Sequence, residues 1–179
     1  MVEELPCILT GYLSKKGVII DDKIAIEELE NRGYGERVDG KFVLKDYETI
    51  FLLYNDMIKI FEGKKEMSVN KLVDYAISKD SSAWTRFLIY RDLRSRGYVV
   101  REGFGFGFDF RVYDRGEYGN KSAKYVACGL NEGTKTPIKE LNEIVNQIKR
   151  MGKEAVIAVI ERRGEVIYYK IRIWRPYQD

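Results

Sequence analysis

Histidine is absent from all 179 residues of the chain. Chemistry that uses an imidazole as base, acid or metal ligand must find another group or another chain, which excludes Ser-His-Asp triads and His-bearing zinc sites. Cysteine is nearly as scarce. Cys7 and Cys128 stand too far apart for metal-ligand spacing and are too few for a disulfide framework, so both are expected as small core residues. No apolar run approaches the roughly 18 residues of a membrane span, and Met1 to Leu13 carries Glu3 and Glu4 where a signal peptide would be basic. A soluble, cytoplasmic protein without membrane contact is expected. With 45% apolar residues and 13% aromatics the chain is neither disordered, collagen-like nor a coiled coil, and it forms one domain or two small ones.

The first 80 residues alternate short strands and helices. Cys7 to Leu13 and Val18 to Ile20 read as strands around a Lys15-Lys16-Gly17 turn, and a helix from Ile24 to Arg32 stops at Gly33. Asp46 is placed to cap a second helix, with Ile50, Leu53 and Tyr54 on one face, before a strand from Ile58 to Phe61. Ser68 caps a third, with Leu72, Val73, Ala76 and Ile77 facing inward. The short polar segment Ser78 to Ser81 reads as a boundary, dividing the chain into domains 1–80 and 81–179.

In the second domain Ser82 caps a helix striped by Trp84, Phe87 and Leu88, and Gly97 ends it. Strands follow at Tyr98 to Arg101, Asp109 to Tyr113 and Tyr125 to Leu130. Thr136-Pro137 starts a helix with the proline at its first position, and Ile138, Leu141, Val145, Ile148 and Met151 line its inner face. Ala155 to Ile160 is apolar on both faces, as a covered central strand is. From Val166 to Trp174, Ile167, Tyr169, Ile171 and Ile173 alternate with Lys170 and Arg172, giving one buried and one wet face. The pattern is α/β (α+β): mixed sheets flanked by helices.

Charge is uneven. Ser81 to Lys124 holds nine basic residues (Arg86, Arg91, Arg94, Arg96, Arg101, Arg111, Arg115, Lys121, Lys124) against five acidic ones, more than the net +3 of the whole chain. Arginine forks onto phosphate and stacks on bases, so a nucleic-acid partner fits; a merely solvated helix face fits as well. The Gly103-x-Gly105-x-Gly107 run precedes a strand rather than a helix, so it reads as a glycine-rich bend with packed aromatics and not as a nucleotide cradle. Asp109, Lys153 and Glu154 have the wrong order for a metal-dependent nuclease, and neither metal nor cofactor is expected. Tyr113 and Lys153 supply two parts of a metal-free ribonuclease: a phenol for the 2′-hydroxyl and an ammonium for the developing charge. The group that protonates the leaving 5′ oxygen is missing.

These residues resemble the archaeal tRNA-splicing endonucleases. Tyr90-Arg91-Asp92-Leu93-Arg94-Ser95-Arg96-Gly97-Tyr98-Val99-Val100 is similar to the family's helix-to-strand signature, and Gly103 through Gly107, Asp109-Phe110-Arg111 and Tyr113 to the strand after it. The likeness extends to Gly33-Tyr34-Gly35 and to Asp46 through Phe61. It implies a small N-terminal domain, a nuclease-like C-terminal domain, assembly of two or four chains, and precursor tRNA folded as a bulge-helix-bulge. It also implies metal-free transesterification that leaves a 2′,3′-cyclic phosphate and a 5′-hydroxyl. The family's tyrosine falls on Tyr113, its lysine on Lys153, and its histidine on Ser122. Asn146 stands where members carry an arginine that grips a bulge base. Arg111, Arg115, Lys121 and Lys124 are the expected RNA contacts. With two functions lost, the resemblance implies a structural subunit. Its partner would be a histidine-bearing catalytic paralogue, two of each chain, joined through Glu165 to Trp174 and the loop Leu130 to Thr136. Two alternatives stand: an active subunit that uses Lys121 or Lys124 as substitute acid, and an RNA-binding module outside splicing.

Overall fold

The computed structural model describes residues 8–105, 107–174 and 176, so Cys7 and Phe106 lie outside the described residues. Packing divides the chain into two compact units, one ending at Val99 and the other beginning at Val100.

In the first unit, strand β1 (Leu9–Ser14) alternates as its sequence does: Leu9 and Gly11 turn inward, Thr10 and Tyr12 outward. It turns back onto β2 (Gly17–Ile20). Helix α1 (Lys23–Asn31) begins where the Asp22 carboxylate accepts the N–H groups of Ile24 and Ala25 at 2.8 and 2.9 Å. Strands β3 (Glu36–Val38) and β4 (Lys41–Leu44), helix α2 (Asp46–Tyr54) and strands β5 (Ile58–Glu62) and β6 (Lys65–Glu66) follow. The sheet order is β3-β4-β2-β1-β5-β6, mixed because β1 and β5 run parallel. Helices α3 (Val69–Lys79) and α4 (Ala83–Ser95) complete the unit, and α4 packs on α2 and α3. By packing, α4 groups with the first unit, so the compact division falls after it.

Several local expectations are corrected. Asp46 is the first helical residue of α2 and not its cap; the N-cap is Lys45, whose N–H donates to Glu48 at 2.9 Å. The other oxygen of the buried Glu48 carboxylate accepts the Gly35 N–H at 3.0 Å, so one acid ties two chain segments together. Ser82 stands before α4, but its hydroxyl donates to Asp80 at 2.7 Å instead of capping the helix. Tyr54, Ile77 and Trp84 are exposed, because the residues beside them (Phe51, Leu52, Ala76, Phe87) fill the core.

The second unit is a five-stranded sheet with strand order β11-β10-β9-β8-β7. Strands β7 (Val99–Gly105) and β8 (Phe108–Tyr113) meet at the glycine bend, where a side chain on Gly103 would collide with the Phe108 carbonyl and Gly105 and Gly107 take φ of +76° and +83°. Strand β9 (Tyr125–Asn131) crosses through helix α5 (Ile138–Arg150) into the parallel strand β10 (Glu154–Ile160), which turns into the antiparallel β11 (Val166–Ile171). Phe108, Val126, Cys128, Val145, Ile148, Ala155 and Ile157 form the core under α5, with Leu141, Met151, Ile171 and Ile173 packed at its margin.

Pro137 is the N-cap of α5, one position before the first helical residue where it was expected, which leaves Ile138 outside the inner face at 83% exposure. Ile171 at the end of β11 and Ile173 just beyond it pack against the core, yet Ile167 and Tyr169 remain 39% and 53% exposed. Alternation there marks a shared face, half of which stays uncovered among the described residues.

Candidate active site

Strand register builds the site. Val112 pairs with Tyr125 and Tyr125 with Glu154, so the next row across the sheet is Tyr113 at the end of β8, Lys124 just before β9, and Lys153 just before β10. Two backbone bonds fix the row: Lys124 N–H to the Val112 carbonyl at 3.0 Å and Glu154 N–H to the Lys124 carbonyl at 3.0 Å. Side chains two apart on a strand share a face. Tyr113 thus follows Arg111, and Lys153 joins Ala155 and Val145 on the face that α5 covers, whereas Lys124, just outside its strand, turns its ammonium to Asp114 and the Tyr125 ring.

Each expected residue has a definite environment. The Tyr113 ring meets the edge of Tyr118, with centroids 5.0 Å apart at 88°. Lys153 donates its ammonium to the Ala123 carbonyl at 2.6 Å. Ser122 is exposed in the loop immediately before Ala123. The exposed Arg115 lies in the turn after β8, and Lys121 bonds Glu117 at 2.6 Å. Arg111 is half-buried: its Nε donates to the Glu102 carbonyl at 2.8 Å and its guanidinium lies 5.0 Å from the Phe104 ring centroid. Asn146 donates along its own helix to the Asn142 carbonyl at 2.8 Å. Asp109 accepts the Gly129 N–H at 2.6 Å and Glu154 pairs with Lys170, so both carboxylates have partners. Among the described residues, no group of three His, Cys, Asp or Glu is placed to hold a metal.

Sequence reasoning missed the position of Lys124 between the other two. Its ammonium bonds Asp114 at 2.9 Å and lies 5.1 Å from the Tyr125 ring centroid. The hydrogen bond it donates to Asp114, followed by its interaction with Tyr125, raises the lysine above its ordinary value of 10.5, and accepting that bond holds the Asp114 carboxyl below the usual carboxylate range. An ammonium held so firmly is a poor proton donor near neutral pH. Beside Lys153, a cavity of about 220 Å³ lies between α5, β10 and β11, with an apolar floor of Val145, Ala155, Ile171 and Ile173 and with Lys149 and Arg172 on its wall. Cys128 lies deeper, where burial pushes its thiol up to about 12.

Chemically, the row can place a phenol and ammonium groups at one sheet end. Histidine, the side chain whose ordinary acidity suits protonation of a leaving group near neutral pH, is absent from it.

Fold and site together define a two-domain α+β chain whose second domain is nuclease-like. Residues 9–73 match the family described as tRNA intron endonuclease, N-terminal domain, and residues 83–168 match its catalytic C-terminal domain. The chain belongs to the tRNA intron endonuclease family. A tRNA-splicing endonuclease of Methanococcus vannielii is 34% identical over 164 residues, covering 91% of this chain and 93% of that protein. Those of Thermococcus gammatolerans (32% over 165 residues; 92% and 97% covered) and Pyrococcus furiosus (31% over 171 residues; 95% and 98%) are similar along nearly their whole lengths.

Proposed function

We propose that this chain is the structural subunit of a heteromeric tRNA-splicing endonuclease, paired with a histidine-bearing catalytic chain that removes introns from precursor tRNA at bulge-helix-bulge motifs. The observation that carries this reading is the complete absence of histidine from a member of this family. Tyr113, Ser122 and Lys153 are then a vestigial triad. The phenol and ammonium remain, but a serine hydroxyl cannot serve as a proton donor near neutral pH. The two substitutes weighed from sequence fit poorly: Lys124 is locked as an ammonium by Asp114, and Lys121 is engaged by Glu117.

Assembly follows from the last strand. Ile167 and Tyr169 leave an apolar half-face open on the edge strand β11, which suits a two-fold, edge-to-edge contact, and the loop from Leu130 to Thr136 reaches a neighbouring subunit. A complex with two copies of each chain, working on precursor tRNA in the cytoplasm, accommodates both contacts. Arg115, Lys121 and Lys124, on the loops beside the vestigial site, give the bound RNA its nearest cations, with Arg111 behind them. The test is cleavage of a bulge-helix-bulge precursor tRNA by the purified chain alone and mixed with the histidine-bearing paralogue of the same genome. Cleavage by the mixture only is expected; efficient intron removal by this chain alone overturns the proposal.

A further inference from the structure

A second surface lies in the first unit, on the outward face of its sheet. Tyr12 pairs across the strands with Phe61 on one side and Ile19 on the other, and Ile19 pairs with Val43. One row of apolar side chains therefore runs across β5, β1, β2 and β4. Alternation sets it on the face opposite Leu9, Val18, Ile20, Ile58 and Ile60, open at Tyr12, half-buried at Phe61 and Ile19 and buried at Val43. Tyr12 is 46% exposed, and its ring centroid lies 6.3 Å from that of Phe61. Next to this aromatic pair the row continues into a cavity of about 280 Å³ floored by Ile19, Val38 and Val43.

The charges around the row select the occupant. Lys15 and Lys41 wall the cavity, and Lys59 stands two residues before Phe61 on the same face. Lys16 pairs with Asp39, whereas no carboxylate among the described residues forms an ion pair with Lys15, Lys41 or Lys59. Protein–protein interfaces are depleted in lysine. Aromatic rings side by side on a sheet face with lysines around them suit the other polyanionic partner: unpaired nucleotides, whose bases stack on the rings while their phosphates meet the ammonium groups.

We propose that this outward sheet face is a second RNA-binding site, a stacking platform for unpaired nucleotides in which Tyr12 and Phe61 take bases and Lys15, Lys41 and Lys59 take phosphates. It lies in a different unit from the vestigial triad and does not depend on whether this chain cleaves.

The experiment measures binding of a labelled oligouridylate to the full chain by fluorescence anisotropy. Tyr12→Ala and Phe61→Ala are each expected to weaken binding roughly tenfold, and Tyr12→Phe to retain it, because stacking needs the ring and not the hydroxyl. The double substitution of Lys15→Gln and Lys41→Gln lowers the slope of log affinity against log salt by roughly 0.7 per lysine. Trp84→Ala, an exposed aromatic away from this face, leaves the affinity unchanged. Melting curves matched to the unaltered chain show that the half-exposed Tyr12 was removed without unfolding. Unchanged affinity in the folded Tyr12→Ala and double-lysine variants overturns the proposal, as does a changed sedimentation coefficient without a change in RNA affinity, which would make the face a protein interface. Oligouridylate carries no intron junction, so its failure to bind leaves the splicing role standing, and failure of the mixed cleavage assay leaves the platform standing.

Discussion

Lys153 holds the carbonyl oxygen of Ala123 at 2.6 Å, one residue beyond Ser122. The ammonium proposed as the remaining lysine of the vestigial triad is thus tied to the backbone of the loop that carries Ser122. This bond joins the loop before β9 to the start of β10.

Replacing Lys153 by Met keeps the stem of the side chain and removes the charged donor. The half-exposed site lets water compensate in part, so a loss of about 1 kcal/mol is expected, below the usual range for a bond to a charged group. Urea denaturation checks this; the midpoint falls while the slope stays constant.

Ser122→His restores an imidazole beside the tyrosine and lysine positions. Cleavage of a bulge-helix-bulge substrate is expected to rise by about 10² or more over the unaltered chain, the usual scale for one general acid or base. Adding Asn146→Arg raises it further, and adding Lys153→Gln abolishes the gain. Single-turnover assays read all three, and no gain from Ser122→His would refute the placement of the triad.

The Lys124–Asp114 pair sets a pH dependence of known sign. Asp114 has a depressed folded value, so its contribution is present above the ordinary carboxylate value of 3.8 and lost as pH falls through the lower folded one. Lys124 has a raised folded value, so its contribution is full below 10.5 and lost as pH rises through the higher one. Between these limits the stability gap between the unaltered chain and Lys124→Gln is flat; it closes in acid and in strong base. Denaturant titrations at several pH values measure it, and a gap that changes through neutral pH contradicts the pairing.

Arg94 is buried at 7% exposure, donates to the Arg32 carbonyl at 3.0 Å and lies 4.0 Å from the Tyr34 ring centroid. Arg94→Met removes a charged hydrogen bond and a cation–π contact and is expected to cost about 2 to 3 kcal/mol. Arg94→Lys recovers little, since a point charge does not reproduce the planar fork. Thermal unfolding of both variants is the check. The Arg94 of the family-like signature therefore serves packing in the first unit, whereas the excess charge of that stretch read equally as an RNA contact.

Much of this was legible from residues alone. The end of the strand at Tyr113 and the start of the strand after Lys153 followed from periodicity, and both fall at one end of the sheet because β8 and β9 are antiparallel while β9 and β10 are parallel. Register was not legible. Without it nothing placed Lys124 between the two or brought Asp114 to it across ten residues. Caps failed where two residues competed: Lys45 takes the N-cap of α2 because Glu48 reaches back to its N–H, and Ser82 yields because Asp80 already holds its hydroxyl. Ile167 and Tyr169 mark a further limit, since alternation shows which side chains share a face but not whether anything covers them.

The parallel pairing of β9 with β10 orders the birth of the second unit. The hairpin of β10 and β11 closes through a tight local turn, but β9 can join it only after the whole α5 crossover has folded back, a slower, long-range closure. Until then the apolar flank of β10 offers free backbone donors and acceptors to any passing strand.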